Sequence, residues 1–260
     1  ALVKQAFSDP DLAGLHLSSA NSINIGRLLP QSVYYVYAAA RLADAAGGER
    51  VVFSVPSGNF GDLMGGLLAA HGGLPVARFV VATNANDEVP RFVETGEYEK
   101  IVPSRVCISN AMNVGHPSNL ARLVALYGGC LDERGTLVEP PDMERLRRDL
   151  FAVSVDDEAT RGAIREAFAR DDLLLEPHGA VGWAGLARFH EAHPQARSTT
   201  AISLETAHPA KFPEEVRAQT GRDPTLPPSL EGLEEKTEHY GEMGLDYGEF
   251  KTLLEREYGG

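Results

Sequence analysis

The feature that most constrains the fold is a buried strand that ends in a glycine-containing loop and leads into an apolar helix. Residues 51–55 (VVFSV) are apolar and rich in β-branched side chains, which is typical of a buried strand. The loop PSGNFGD follows, and then an apolar helical stretch at residues 63–71 that Gly72 and Gly73 end. A second strand is predicted at residues 77–82. This order predicts a βαβ unit and therefore a parallel sheet.

The alternation of helix and strand recurs downstream. Residues 156–158 (DDE) place negative charge where the helix dipole favours it, and predict a helix that runs to about residue 170. A further helix is predicted at residues 177–190, with a proline in its first turn. Residues 199–204 (TTAISL) are predicted to form another strand.

A long helix is predicted upstream of the first strand, at residues 22–46, although Pro30 disfavours helical hydrogen bonding in its first turns. It carries an aromatic patch of Tyr34, Tyr35 and Tyr37. Packing in the core or at an interface is the simplest explanation of that patch.

Composition narrows the class of protein. Hydrophobic residues make up 43% and charged residues 23% of the 260 residues, as in globular proteins with a core. A net charge of -13 argues against nucleic-acid binding. No apolar run approaches the roughly 20 residues that span a bilayer. The two cysteines, Cys107 and Cys130, have neither CxxC nor metal-ligand spacing, which fits a reducing cytoplasm.

The loop after the first strand is a candidate phosphate-binding site. Its two glycines, Gly58 and Gly61, allow a tight turn and a close approach of the backbone to a ligand. The following helix points its N–H groups and the positive end of its dipole toward the loop. Ser57 and Asn59 can add side-chain donors. The alternative is a plain strand-to-helix turn, since a Gly-x-x-Gly loop alone is weak evidence.

The loop resembles the phosphate loop of fold-type-II enzymes that use pyridoxal 5'-phosphate (PLP), in the form typical of the threonine synthase family. Six segments carry the resemblance in the same order: residues 18–24 (SSANSIN) with Arg27 following, 56–62 (PSGNFGD), 82–92 (ATNANDEVPRF), 109–112 (SNAM), 176–182 (EPHGAVG) and 205–212 (ETAHPAKF). Together they cover about residues 1–212. The resemblance implies an α/β fold of three αβα layers with a mostly parallel sheet, similar to the tryptophan synthase β chain and incomplete here.

The resemblance also implies roles for matched positions. Residues expected around the PLP phosphate and ring edge are Ser57, Gly58, Asn59, Phe60, Gly61 and Asp62. Thr206 is expected near the pyridine nitrogen, where a neutral hydroxyl leaves the ring a weaker electron sink. Many relatives carry Asn in place of Asp62. Because a carboxylate would repel a phosphate, Asp62 is expected to face away or to cap the following helix.

Substrate contacts are implied for Ser22, Asn24 and Arg27. Arginine suits bidentate recognition of a phosphate or carboxylate. The alternatives are an ordinary surface charge for Arg27 and a helix cap for Ser22.

Three histidines, His116, His178 and His208, lie beside prolines and lack the spacing of a helical metal site. We therefore expect structural hydrogen bonds and no metal. His178 and His208 fall in matched segments and can line the cofactor pocket.

The lysine that would form the Schiff base with PLP is not identified in this chain. In the family it lies upstream, in a segment resembling FKD, and no such segment occurs here. The five lysines, none at the matching position, are Lys4, Lys100, Lys211, Lys236 and Lys251. We therefore predict no catalytic residue within the chain, and an N-terminal segment as its missing partner.

The resemblance implies a domain organisation and a reaction. Residues 1–215 are expected to form the C-terminal part of the PLP-binding catalytic region, and residues 216–260 an acidic helical tail. The implied reaction converts O-phospho-L-homoserine and water to L-threonine and phosphate. The alternatives are another fold-type-II lyase of the serine/threonine dehydratase kind, a catalytically inactive binding module, and a phosphate- or nucleotide-binding protein unrelated to PLP.

Overall fold

A computed structural model describes residues 2–43, 47–233 and 235–259 of the chain. The strands are β1 (Val51–Pro56), β2 (Val76–Thr83), β3 (Cys130–Leu131), β4 (Leu137–Glu139), β5 (Leu150–Ser154) and β6 (Ala201–Ser203). The α-helices are α1 (Leu2–Ser8), α2 (Ile25–Leu28), α3 (Ser32–Leu42), α4 (Gly61–His71), α5 (Glu88–Thr95), α6 (Leu120–Leu126), α7 (Met143–Asp149), α8 (Asp157–Asp171), α9 (Pro177–Ala192), α10 (Pro213–Thr220) and α11 (Tyr247–Tyr258).

Four strands form a parallel sheet in the order β5-β2-β1-β6. In the register, Phe53 of β1 lies opposite Phe79 of β2 and Ile202 of β6, and Val81 of β2 lies opposite Ala152 of β5. The predicted βαβ unit and parallel sheet are thus confirmed. The separate pair β3 and β4 is antiparallel.

One face of the sheet is covered by α3 and α4. Tyr35 of α3 packs against Phe53 and Phe79, with ring centroids 4.9 and 6.0 Å apart, and all three side chains are buried. Leu63 and Leu67 of α4 join the same cluster. The odd-numbered residues of β1 therefore face this side, as the period of two in a strand requires.

Helix α9 covers the opposite face, and its glycines set how closely it lies. A Cβ atom at Gly185 would lie 2.6 Å from Ala82 Cβ, and one at Gly182 would lie 3.1 Å from Pro56 Cδ. The Ser54 hydroxyl of β1 donates a hydrogen bond to the Gly182 carbonyl at 2.6 Å. Helix α8 packs outside α9, so the predicted three-layer αβα architecture is confirmed.

The predicted helix at residues 22–46 is broken at Pro30. The structure has α2, a 3₁₀ turn over Leu29–Gln31 and then α3, because proline lacks the N–H that a continuous α-helix needs. The last three positions of the prediction, 44–46, lie outside the described residues. Of the aromatic patch, Tyr35 is core, whereas Tyr34 and Tyr37 are 60% and 64% exposed.

The chain folds into two compact units. One contains residues 1–24 and 227–260, and the other contains residues 25–226. Within the first, Lys251 of α11 pairs with Asp9 at 3.0 Å, and the Tyr247 hydroxyl donates to Asp9 Oδ2 at 2.6 Å. The predicted boundary at residue 215 lies within α10, which packs on α8.

The predicted helical tail is helical only in part. In residues 216–260, the structure has the end of α10, a short 3₁₀ turn over Pro228–Leu230 and helix α11. Among the residues that the structure describes, no helix combines the length and apolarity needed to cross a bilayer.

The close packing of α9 on the sheet can be tested with two Gly→Ala substitutions in helix interiors. Gly185→Ala introduces the overlap with Ala82, and we expect it to destabilise the fold by about 1–3 kcal/mol. Gly162→Ala in α8 meets nothing closer than 3.9 Å, and we expect a gain of up to about 1 kcal/mol from helix propensity alone. Urea unfolding measures both, and equal effects would refute the packing explanation.

Candidate functional site

The loop between β1 and α4 is a backbone cradle held by the adjacent strands. We use "phosphate cradle" for residues 57–61. The Ser57 N–H donates to the Ala82 carbonyl of β2 at 2.8 Å, and the Ser57 hydroxyl donates to the Val55 carbonyl at 3.0 Å. Phe60 adopts a left-handed conformation (φ 61°) and its ring is buried in the core. That turn directs the first N–H groups of α4 into the loop.

Gly58 marks the closest contact in the cradle. A Cβ atom there would lie 2.7 Å from Met112 Cα and 3.1 Å from the Ala111 carbonyl oxygen. The segment at residues 111–112 is therefore a wall of the site, and any larger residue at position 58 would displace it.

Asn59 ties the cradle to the start of α6. Its side-chain amide donates to Ser118 Oγ at 2.9 Å, and its Oδ1 accepts from the Ser118 N–H at 2.7 Å. The Asn119 side chain donates to the Asn59 carbonyl at 2.8 Å. In this structure, the Asn59 side chain and the Ser57 hydroxyl thus bond to the protein itself.

A network of side-chain amides holds the segment that carries the wall. Asn84 Nδ2 donates to Asn113 Oδ1 at 3.0 Å and to Ser109 Oγ at 3.2 Å. Asn86 Nδ2 donates to Asn84 Oδ1 at 2.8 Å, and Asn86 Oδ1 accepts from the Arg105 N–H at 2.7 Å. Asn84 and Asn86 are buried and follow β2 directly, so the network fixes the wall relative to the sheet.

Asp62 occupies the second position of α4 and does not cap it, since the cap residue is Phe60. The Tyr35 hydroxyl donates to the Asp62 main-chain oxygen at 3.0 Å. The side-chain Oδ1 of Asp62 is buried and has no hydrogen-bond partner among the described residues. Burial raises the pKa of Asp62 to about 6, and the nearby Tyr35 hydroxyl opposes that rise.

A buried Glu–His pair at the start of α9 supports the same wall. Glu176 caps α9 by accepting from the N–H groups of His178 and Gly179 at 2.8 and 2.7 Å. It also accepts from His178 Nδ1 at 2.5 Å, while His178 Nε2 accepts from the Ala111 N–H at 3.1 Å. This arrangement requires a neutral His178 with its proton on Nδ1. Burial alone would raise the pKa of Glu176, but these hydrogen bonds outweigh it and the pKa is lowered.

Glu205 adds a second carboxyl group to this pair. The residue as a whole is exposed, but its carboxyl occupies the position that a Cβ atom of Gly179 would take. Withdrawal of the carboxyl from water, and then the charge of Glu176, raise the pKa of Glu205 to about 8. The Glu205 carboxyl therefore holds its proton more readily than a free glutamate does, and in its protonated form it can donate a hydrogen bond to Glu176.

Thr206 lies at the same edge of the sheet as the cradle. It follows β6, which pairs in parallel with β1, and the Leu204 N–H donates to the Ser54 carbonyl at 2.9 Å. Because parallel strands end at one edge, the loops after β1 and β6 are neighbours. Thr206 itself is exposed.

The predicted substrate residues fall in different parts of the fold. Arg27 is exposed on α2, a helix that contacts α4. Ser22 and Asn24 belong to the other compact unit. There Asn24 Nδ2 donates to the Ser19 carbonyl at 3.0 Å.

The histidines serve as hydrogen-bonding groups in this structure. The Tyr98 hydroxyl lies 2.7 Å from His116 Nδ1, and the Ala210 N–H donates to His208 Nδ1 at 3.1 Å. Across the described residues, no group of three or more His, Cys, Asp or Glu side chains could hold a metal ion.

The role of Glu176 and its carboxyl pair with Glu205 were not predicted from the sequence. A Glu before a proline at the first helical position is a recognisable helix-cap signal. The pairing with Glu205 has no local signal, because it depends on how α9 lies against the loop after β6.

Comparison with known proteins identifies the architecture. A family model described as the C-terminal part of threonine synthase matches residues 179–253. The chain is 40% identical over 255 residues to threonine synthase from Serratia marcescens, and 42% identical over 231 residues to that from Escherichia coli. These alignments cover 98% and 88% of this chain but 54% and 49% of the relatives. The chain thus spans about half the length of the curated relatives it matches.

Solved structures give the same result. The crystal structure of threonine synthase from Escherichia coli superimposes with a TM-score of 0.81 at 39% identity, covering 98% of this chain and 55% of that one. The structure of PLP-bound threonine synthase from Brucella melitensis superimposes with a TM-score of 0.82 at 32% identity. The superposition covers 100% of this chain and 57% of that one. The fold is therefore that of the fold-type-II PLP enzymes. More narrowly, the chain belongs to the threonine synthase family.

The carboxyl pair predicts a pH-dependent stability. Because the folded-state pKa of Glu205 is raised from 4.5 to about 8, its contribution is present below pH 4.5 and is lost as the pH rises through 8. In Glu205→Gln, the side-chain amide can still donate a hydrogen bond to Glu176, but it does not ionise. We expect its stability relative to the unsubstituted chain to rise between pH 5 and pH 9 in urea unfolding. A difference that stays constant over this range would show that Glu205 does not titrate with a raised pKa.

Proposed function

We propose that this chain forms the cofactor-phosphate and ring-binding part of a threonine synthase. The complete enzyme would convert O-phospho-L-homoserine and water to L-threonine and phosphate. The observation that carries the proposal is the cradle at residues 57–61, in a chain similar to threonine synthases over 98% of its length. The closeness of Gly58 to Met112 gives this cradle a defined wall.

The residues present fit PLP. A dianionic phosphate suits main-chain N–H groups at the start of α4, where the helix dipole is positive. The neutral Thr206, at the adjacent loop, suits a pyridine nitrogen that is not strongly protonated. When bound, PLP supplies an electron sink that lets protons leave the carbon atoms of the substrate.

The chain's own residues would hold and orient the cofactor. The N–H groups of residues 58–61 would bind the phosphate, while Asn59 keeps the cradle attached to α6 through Ser118. His178 would fix the wall from behind, because it accepts the Ala111 N–H. Ser22, Asn24 and Arg27 remain our candidates for contacting the phosphate or carboxylate of the substrate.

No lysine in the chain is assigned as the catalytic residue. Lys100 Nζ donates to the Arg134 carbonyl at 3.1 Å, and Lys251 pairs with Asp9 and Asp11. In the proposed enzyme, the lysine that binds PLP covalently would belong to the part of the relatives that this chain does not cover, which is about half of their length. The unpaired state of Cys107 and Cys130 supports a reducing, cytoplasmic setting.

The proposal is tested with a chimera of this chain and part of the Escherichia coli threonine synthase. The part used is the portion of that enzyme to which this chain does not align. We expect the chimera to bind PLP and to release phosphate from O-phospho-L-homoserine, but not to deaminate serine. Gly58→Ala should lower PLP affinity at least about tenfold, because it displaces the wall. Gly129→Ala, which places a Cβ atom 2.6 Å from the Pro141 nitrogen beside the β3–β4 pair, controls for lost stability.

Two results would contradict the proposal. A folded chimera that binds PLP but acts on serine or threonine would indicate another fold-type-II lyase. A folded chimera that binds no PLP, or a Gly58→Ala variant with the affinity of Gly129→Ala, would remove the assignment of the cradle.

Asp62 gives a separate, pH-dependent test of the cradle. Since its pKa is about 6, its carboxylate is charged at pH 8 and largely neutral at pH 5, and the charged form repels a phosphate. In the chimera, Asp62→Asn should therefore tighten PLP binding at pH 8 and hardly at all at pH 5. Equilibrium dialysis measures the ratio of the two affinities at each pH. The same ratio at both pH values would show that Asp62 does not act on the phosphate.

A further inference from the structure

A basic cavity lies at the amino ends of the strands, at the opposite edge of the sheet from the cradle. Its volume is about 460 Å³, within the range of sites for small ligands. We call it the arginine cavity, and its charged and ionisable lining residues are Arg50, His71, Arg78, Tyr127, Arg145, Arg148 and Asp149. Four guanidinium groups thus face one carboxylate, in a chain whose net charge is -13.

The protein holds two of these arginines in place. The Arg145 guanidinium lies 5.3 Å from the centre of the Tyr127 ring, and its Nη2 donates to His71 Nε2 at 2.9 Å. Since Arg145 can only donate, His71 Nε2 accepts this hydrogen bond and carries no proton. His71 Nδ1 lies 3.1 Å from the Leu67 carbonyl and carries the proton of the neutral ring. Arg78 Nη2 donates to the Arg147 carbonyl at 2.7 Å. A pre-organised guanidinium loses less freedom when it binds an anion.

Among the described residues that line the cavity, the negative groups do not match this positive charge. Asp149 lies 3.1 Å from Arg148 and 3.9 Å from Arg145, and it also accepts a hydrogen bond from the Tyr127 hydroxyl. The carbonyl end of α4 adds only a partial charge of about half a unit. One carboxylate and one helix end thus face four arginines.

Arg78 shows this deficit most directly. Its Nε is buried and has no hydrogen-bond partner among the described residues. Burial lowers the pKa of Arg78, and Asp149 only partly opposes that effect. An unpartnered buried guanidinium donor costs free energy, and a nearby anion would reduce that cost.

We propose that the arginine cavity binds a phosphate dianion, either free or as a small phosphate monoester. Arginine recognises phosphate through paired N–H donors. The cavity lining also includes the apolar residues Leu67, Leu74 and Phe79, which offer a surface for the organic part of an ester. This site is separate from the cradle, where phosphate would be held by main-chain N–H groups.

The test uses the 260-residue chain and arginine modification by phenylglyoxal, mapped by mass spectrometry. Inorganic phosphate should protect Arg145 and Arg148 in a saturable way at constant ionic strength, with sulfate and chloride as comparisons. Arg134, which is 83% exposed beside Glu133, should not be protected. Gly58→Ala should leave this protection unchanged, so failure of the cradle assignment is distinguishable from failure of this site.

A pair of charge-matched variants gives the affinity test. Arg148→Gln should weaken phosphate protection of Arg145 about tenfold, whereas Arg134→Gln should not change it. Tighter protection by phenyl phosphate than by inorganic phosphate would identify the ligand as an ester, and equal protection would identify free phosphate. Equal protection of Arg134 and Arg145, or an unchanged affinity in Arg148→Gln, would overturn the proposal.

Discussion

The pairing of β1 with a parallel neighbour on each side is the constraint on which the site depends. All six residues of β1 are buried, and its main chain is bonded to both β2 and β6. The carboxyl ends of these three strands therefore emerge at one edge of the sheet. The cradle follows β1, Asn84 follows β2 and Thr206 follows β6, so a single hydrogen-bonding pattern brings together loops that are distant in sequence.

Close approach at glycines links the packing of the fold to the geometry of the site. The absence of side chains at Gly182 and Gly185 lets α9 lie directly on the sheet. That position brings the start of α9, with Glu176 and His178, to the main chain of Ala111. The same residues that bury apolar surface thus also fix the wall of the cradle. A substitution that lifts α9 is expected to alter the site as well as the stability.

Local signals explain what could be predicted from the sequence. Strand β1 is indicated by the apolar run at residues 51–55 alone. The start of α8, where Asp156 caps the helix, is likewise indicated by adjacent acidic residues. Strand β5 was missed because it follows α7 without an intervening turn residue. The raised pKa of Glu205 was missed for a different reason. It depends on Glu176, which becomes its neighbour only after α9 has packed on the sheet.

Net charge is a poor guide to local binding in this chain, because a chain with a net charge of -13 carries two candidate anion sites. These two sites, the phosphate cradle and the arginine cavity, lie at opposite ends of α4. At the amino end of α4 the anion-binding groups are main-chain N–H donors, and at its carboxyl end they are guanidinium groups. The helix has 11 residues, so the ends are about 16 Å apart, twice the Debye length of about 8 Å in physiological salt. Coulombic coupling between anions at the two ends is therefore largely screened, and each site should fill independently of the other.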